Sequence, residues 1–562
     1  MQKNNHSWMI AAALTLAMLH LTLVPARAQA WAKKASKSVF TLKTFDADGT
    51  LIASSNGFFT SDDGQAVSPF APFRGAHRAV IIDAQGKEMA VACMLGANDT
   101  YDVAKFRVEA KKTVALPIAT KAAEQSAVWL LPYREEKSCP QGIVRKAETF
   151  KDDYTYYTLA LTMPEQSVGC PLLNGEGAVV GLMQQPASNR DTLAYAVDAA
   201  FAASLNVNGL SINDATLRST HIRIALPDDI DQANLTLYVA SASLDSLAYT
   251  ELLEAFISKF PDSPDGYTYR AQFATGADRF AAAAADMEQA IRIATKKDEA
   301  YYNYARLIYQ KEIYKNDRPF ADWSLDKAYA EAEAAYAVNP QPVYRQLQGQ
   351  IRYAQRRYAE AADIYGTITG STLRSADLFY EASRCQEMLR DTTAQLALLD
   401  SAVAMFSRPY LKEAAPYLFS RALVRIDAGR FREAVADLNE YEALMPAGLT
   451  DRFFYIRHQA DVGGRLFQQG LDDINRAIEL NPASDLYYAE RASLQARVGQ
   501  LDEAMASANE CIRLAPDNSD GYLFLGLAQC AKGMREQGVA NLRRAKELGD
   551  NQADALIEKY SK

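Results

Sequence analysis

Pro482 and Pro516 stand 34 residues apart, each closing a stretch in which apolar residues recur with the 3.6-residue period of an α-helix. That fixed interval constrains the fold more than any other feature of the chain. A unit of such length holds two helices and a turn and cannot bury its apolar face alone, so successive units have to stack. Pro340 and Pro446 extend the pattern upstream. The helical period begins near residue 230, after Ala225-Leu226-Pro227-Asp228-Asp229, and continues to the C-terminus. Before it, from Lys37 to about Gly209, the period is two. Short runs such as Val39-Phe40-Thr41-Leu42, Val80-Ile81-Ile82, Val128-Trp129-Leu130-Leu131 and Tyr156-Tyr157-Thr158-Leu159 alternate with turns such as Asp46-Ala47-Asp48-Gly49 and Asp83-Ala84-Gln85-Gly86. Many short strands at this spacing predict a sandwich or a barrel.

Within the helical part, small residues fall where two helices of one unit must approach closely. Tyr522, Leu525, Gly526, Gly538, Leu542 and Ala545 mark the last unit; Tyr488, Ala492, Ala504, Ala508 and Pro516 the one before it. Leu418, Ala422, Ala434, Leu438 and Pro446 repeat the offsets, as do Gly349, Ala361 and Tyr365, and Tyr267, Ala271, Ala283, Met287 and Ala290. This pattern resembles the tetratricopeptide repeat (TPR). The offsets give eight or nine units between about 232 and 552, an insertion from Lys315 to Asp326 in the third, and a C-terminal cap from Ala553. The resemblance implies an all-α superhelix with a concave face that takes a protein or peptide partner. Counting the second, fifth, ninth and twelfth positions of each unit gives candidate partner-binding residues Phe419, Leu423, Arg452, Tyr455, Gln459 and Leu523, with Leu527 beside them.

Three segments of the β-region resemble the trypsin-like fold, in particular the HtrA-type serine proteases. Asn56-Gly57-Phe58-Phe59 through Ser68 is similar to the strand, acidic turn and strand that precede the general base, but Ser68-Pro69-Phe70-Ala71-Pro72-Phe73 puts Ala71 where histidine is expected. Asn98-Asp99-Thr100-Tyr101-Asp102-Val103-Ala104 is similar to the strand bearing the orienting aspartate, and Asp102 matches it. Gln166-Ser167-Val168-Gly169-Cys170-Pro171-Leu172 resembles the nucleophile loop; aligned on Gly169 and Pro171, the nucleophile position is Val168. Acyl transfer by this fold needs a hydroxyl, an imidazole that takes its proton and a carboxylate that orients the imidazole. The resemblance implies a double barrel whose triad positions are Ala71, Asp102 and Val168, with peptide binding in the former cleft as a further expectation. A register slip by one residue gives the alternative pair Ser167 and His77.

The first thirty residues carry Lys3, an apolar run from Trp8 to Val24, and Pro25-Ala26-Arg27-Ala28-Gln29-Ala30. This order predicts a secretory signal peptide cut after Ala28 or Ala30 and hence export, with no membrane attachment afterwards. The HtrA-type resemblance points to the periplasm, and the extracellular medium stays open. The chain's formal charge is −9, which moves to −11 without Lys3 and Arg27, and its basic residues are scattered among acids, so nucleic acid is not an expected partner. Cys93, Cys139, Cys170, Cys385, Cys511 and Cys530 show no metal-ligand or redox spacing. Neither a metal nor a cofactor is expected, and buried thiols are favoured over any particular disulfide.

The sequence therefore predicts a signal peptide over 1–30, a trypsin-like domain over 31–209, a linker over 210–231 and a repeat array with its cap over 232–562. Two functions compete: an exported scaffold that binds protein or peptide, and an active or regulated serine protease with a TPR arm that recruits substrate or partner.

Overall fold

The computed structural model describes residues 31–134, 139–151, 153–186 and 193–561. The expected signal peptide lies outside the described residues. The chain divides into two compact units, one ending at Phe273 and one beginning at Ala274.

In the first unit, a helix over residues 31–35 (α1) precedes β1 (Val39–Phe45), β2 (Leu51–Phe59), β3 (Gln65–Ser68), β4 (Arg78–Ile82), β5 (Glu88–Asn98) and β6 (Val103–Val108). These strands close a barrel in the order β1-β2-β3-β6-β5-β4, every pairing antiparallel. A second barrel follows from β7 (Ala127–Leu130), β8 (Gln141–Phe150), β9 (Tyr154–Ala160), β10 (Pro171–Leu173), β11 (Val179–Met183) and β12 (Leu193–Asp198), in the order β10-β11-β12-β9-β8-β7. Alternation fills each interior. In β9, Thr155, Tyr157 and Leu159 point inward while their neighbours are half-exposed, as a strand with one buried face requires. In the first barrel Phe40, Phe59, Phe73 and Phe106 pack ring on ring at 4.9 to 6.1 Å. The hairpins are set by side chains that mimic a backbone turn: Asp46 Oδ1 accepts from the backbone N–H of Asp48 and Thr50, and Asp83 Oδ1 from that of Gln85 and Lys87.

The stretch expected as a linker is folded. After α2 (Ala199–Ser204) come α3 (Ala215–Arg218) and an extended run that lies on the first barrel. Met94 N–H donates to Arg223 O at 2.8 Å, Ala225 N–H to Met94 O at 2.9 Å and His221 N–H to Ala76 O at 2.8 Å, while Leu217 and Ile222 are buried among the barrel's phenylalanines. The next helices, α4 (Ile230–Ala240) and α5 (Ser246–Lys259), are capped by Asp229 and Asp245. Leu226, Leu237, Leu253 and Phe256 form a core there with Ile212 against it. The first helical hairpin thus packs with the segment that leaves the barrels.

Helical hairpins then follow in sequence: α6 (Pro264–Gly276) with α7 (Phe280–Ile293), α8 (Lys297–Tyr314) with α9 (Leu325–Val338), α10 (Pro342–Ala354) with α11 (Tyr358–Ile368), and α12 (Ala376–Met388) with α13 (Thr392–Val403). The last four pairs are α14 (Ala415–Asp427) with α15 (Phe431–Leu444), α16 (Asp451–Gly463) with α17 (Phe467–Leu480), α18 (Asp485–Arg497) with α19 (Leu501–Leu514), and α20 (Ser519–Ala531) with α21 (Arg535–Glu547). A single helix, α22 (Ala553–Ser561), ends the array. Small residues set the spacing within a pair: a Cβ on Gly526 would lie 2.7 Å from Gly538 O, and one on Gly349 would lie 2.9 Å from the Tyr365 ring. Polar contacts recur at fixed places. Asp298, Asp451 and Asp485, each in the first turn of a first helix, accept from Asn339, Asn481 and Asn518 at 2.8 to 3.0 Å. These amides hold the Asp298 and Asp451 carboxyls below the usual range. Arg421 and Arg457 bind Asp437 and Asp473, sixteen residues on, through two nitrogens each.

One hairpin departs from the small-residue rule. His458 stands in α16 where Ala422 and Ala492 stand in α14 and α18, and its Nδ1 meets Gly470 O at 2.8 Å. One turn further along, Asp461 is fully buried, with no hydrogen-bond donor to either oxygen. Burial first, and then the Asp473 carboxylate, raise its pKa. A carboxyl with a raised folded-state pKa holds its proton more tightly when folded; the stabilisation is complete in acid and is lost as pH rises through the raised value. Asp461→Asn cannot ionise. Relative to this variant, the protein is expected to lose roughly 1–3 kcal/mol of stability between about pH 5 and about pH 9, read from paired denaturant titrations; parallel curves would contradict it.

Candidate functional site

β3 ends at Ser68 and the chain turns through a 3-10 segment, Ala71–Phe73, whose Phe73 is buried together with Phe70. This anchoring leaves Ala71 exposed at the surface. The turn before β6 brings Asp102 to it, in a left-handed conformation (φ 48°), and Asp102 Oδ1 accepts from the backbone N–H of Ala71 at 2.6 Å. Positions 71 and 102 are therefore neighbours, but the carboxylate meets main chain rather than a ring. Beside them, Arg74 and Asp99 form an exposed ion pair.

The loop before β10 is pressed onto the same place. Gly169 has φ 81°, and a Cβ there would fall 2.1 Å from Asn56 O and 2.8 Å from Pro69 Cδ. Asn56, in β2, fastens the loop: its Nδ2 donates to Gln166 O at 2.6 Å and Val168 O at 3.2 Å, and its N–H donates to Val168 O at 3.3 Å. Val168 is half-buried, and Gln166 before it is left-handed (φ 59°). Loop and turn thus meet at Asn56 and Pro69, with alanine at 71 and valine at 168.

The alternative pair does not come together. Ser167 is 1% exposed and its Oγ has no hydrogen-bond partner, whereas His77 is exposed, stacked on the His221 ring at 3.9 Å with Nδ1 3.3 Å from Gly75 O. The thiol near the loop, Cys170, is fully buried and its pKa is pushed up to about 12 by burial, so it is not a thiolate at neutral pH. Among the described residues no group of three histidines, cysteines or carboxylates could hold a metal ion.

In the helical array, the residues named from the repeat offsets scatter. Tyr455 donates to Glu490 at 3.3 Å and accepts from Gln459 Nε2 at 3.0 Å, Arg452 is exposed, and Leu423 is partly exposed. Phe419 packs on Tyr441 at 5.0 Å. Leu523 is only 4% exposed, in a cluster with Leu542, Ala545 and Ala553 of α22, so it serves the closure of the array's end rather than an open surface. A hollow lies upstream. Tyr302, Arg306, Tyr309, Gln310 and Tyr314 of α8, Leu347, Gln350 and Tyr353 of α10, Tyr365 of α11, and Glu381 and Arg384 of α12 enclose about 430 Å³. Sequence reasoning missed it, although Tyr302, Arg306 and Tyr309 occupy fifth, ninth and twelfth positions when the unit is counted with Ala305 at the small site.

The shared architecture decides the class. Two closed six-stranded antiparallel barrels, with loop and turn meeting at Asn56 and Pro69 and Asp102 on the Ala71 N–H, are followed by paired helices with small residues at the contact. The chain joins a trypsin-like double barrel to tetratricopeptide repeats. It is 30% identical over 94 residues to a TPR repeat-containing thioredoxin, TDX, of Arabidopsis thaliana, which is 16% of this chain and 25% of that protein. It is 27% identical over 95 residues, 17% of this chain, to small glutamine-rich tetratricopeptide repeat-containing protein 2 of Saccharomyces cerevisiae, covering 28% of it. The chain thus spans about a quarter of the length of these relatives. Among solved structures, a serine endoprotease from Yersinia pestis aligns over 34% of this chain and 66% of its own, with 16% identity and a TM-score of 0.27. No family model matches the chain.

The meeting of loop and turn yields a stability test. Gly169→Ala brings both a backbone clash and a left-handed conformation that alanine resists, so the barrel transition in calorimetry should fall by several degrees at least. Asn56→Ala, which takes the donor from Gln166 O and leaves Val168 O with the backbone N–H alone, should cost about 1–3 kcal/mol. A Gly169→Ala protein melting like the parent would refute the packing described.

Proposed function

We propose that the protein is an exported binding scaffold: the repeat array holds a protein or peptide partner, and the double barrel acts as a second recognition surface rather than as a protease. The observation that carries this reading is the pairing of Asp102 with the backbone N–H of Ala71, at the place where a protease of this fold keeps an imidazole. A carboxylate there has no ring to orient. Val168 has no lone pair with which to attack a carbonyl, and Ala71 no base. Losing either the nucleophile or the base in an enzyme of this kind costs on the order of a million-fold in turnover. What the fold retains is the close meeting of loop and turn, Gly169 against Asn56 and Pro69, with Phe70 and Phe73 buried in the barrel.

The array supports the binding half of the proposal. Stacked hairpins present the residues of their first helices along one face, and such faces take extended or helical segments of partners. The TPR relatives match this portion of the architecture. Export rests on the apolar run Trp8 to Val24 and the small residues after it, and the resemblance to HtrA-type proteases favours the periplasm over the extracellular medium.

Two measurements test the proposal. A fluorophosphonate probe is expected to leave the mature protein unlabelled under conditions that label an active serine protease to completion; covalent modification at Ser167 would establish the protease reading instead. Affinity capture from envelope extracts with the full mature chain is expected to retain at least one protein that is lost when the array is saturated with competitor, and retention of nothing would count against a scaffold.

A further inference from the structure

The hollow over α8, α10 and α12 has a chemistry that narrows what it receives, and the argument rests on the binding reading above. Its one carboxylate is already satisfied: Glu381 accepts from Gln346 Nε2 at 3.0 Å and from Gln350 Nε2 at 2.8 Å. Its two guanidiniums are not. Arg306 lies over the Tyr302 ring at 5.8 Å and Arg384 over the Tyr353 ring at 5.3 Å, and neither has an ion-pair partner among the described residues. Elsewhere the array holds arginines in place with acids, as Arg421, Arg425 and Arg457 are held by Asp437 and Asp473. In the hollow the rings do that work and leave the cationic edges open. A guanidinium stacked on an aromatic face is pre-organised yet keeps its in-plane N–H donors for an oxyanion.

The other walls fit a peptide chain. Tyr302, Tyr309 and Tyr353 are half-buried and offer ring surface, and Tyr314 is 81% exposed, a large ring with no packing role to explain it. The Gln310 amide has no hydrogen-bond partner among the described residues and supplies both a donor and an acceptor, which a peptide main chain can use together. Three successive first helices, roughly 8–10 Å apart, span about 16–20 Å, the length of five or six extended residues. In a chain of formal charge −9 this surface is locally cationic, so it attracts a segment of the sign that the rest of the molecule repels.

We propose that this hollow binds an extended, acidic peptide segment, with carboxylates on Arg306 and Arg384 and an apolar side chain between them on the tyrosine rings.

The test uses the full mature chain and a fluorescein-labelled eight-residue peptide of alternating glutamate and leucine with blocked ends, beside the same peptide with glutamine for glutamate. Anisotropy titrations should give at least tenfold tighter binding of the acidic peptide, weakening as salt is raised, and the preference should vanish in Arg306→Glu/Arg384→Glu. Arg306→Lys/Arg384→Lys should keep part of it. Unchanged helical circular dichroism and melting of the glutamate variant separate loss of binding from loss of folding. Equal binding of the two peptides would overturn the acidic preference and leave concave-face binding standing. Binding of neither peptide would overturn this inference, with scaffold function still judged by capture from extracts. Preferential binding of a polyglucuronate, with the acidic peptide unable to compete, would also overturn it by reassigning the arginines to a sugar.

Discussion

Close approach of paired helices is the constraint on which the second half of this molecule rests. Where glycine or alanine lies at the contact, backbones come near enough that one added methyl would strike the facing chain, as at Gly526 against Gly538 O. Tight pairs make thin units, thin units stack in register, and stacking brings side chains from three different first helices to a common hollow. No single helix carries that site. It exists because tyrosines and arginines separated by up to about eighty residues in sequence are brought to one wall by the same small-residue contact repeated.

The first half depends on an analogous staple made from polar groups. Asn56 reaches from β2 to the main chain of the loop before β10, and Gly169 permits the approach by carrying no side chain. This holds loop and turn together independently of the side chains at 71 and 168, because the bonds run to carbonyl oxygens and a backbone N–H. Side chains at 71 and 168 are free to change without loosening this contact. The two segments can therefore stay in place with alanine and valine at those positions.

Much of this organisation was legible in the sequence, and the failures have identifiable causes. The 34-residue spacing and the paired small residues revealed the hairpins because each is a local pattern with a fixed offset. The folding of 210–231 was not legible: the stretch lies between the period-two strands and the start of the helical period, and its partners, Met94 and Ala76, lie more than a hundred residues away. Leu523 obeyed the positional rule for an open face, but the last unit is closed by α22 instead of another repeat. The tyrosine hollow was obscured because the insertion after α8 lengthens one unit and upsets counting from proline to proline. His458 escaped notice because a ring at a small-residue position reads as a mismatch until its partner across the contact, Gly470, is considered with it.

The array also has two closed ends made in different ways. At its start the hairpin of α4 and α5 shares a core with the segment leaving the barrels, through Leu226 and Ile212; at its finish Ala553 and Leu556 of a nine-residue helix cover the last pair. An open repeat exposes an apolar face that fits the opposite end of another copy, which is how solenoids grow into fibres. Here the outermost apolar residues of the last pair are covered by a helix of the same chain, so that pair offers no bare apolar face for another copy to extend.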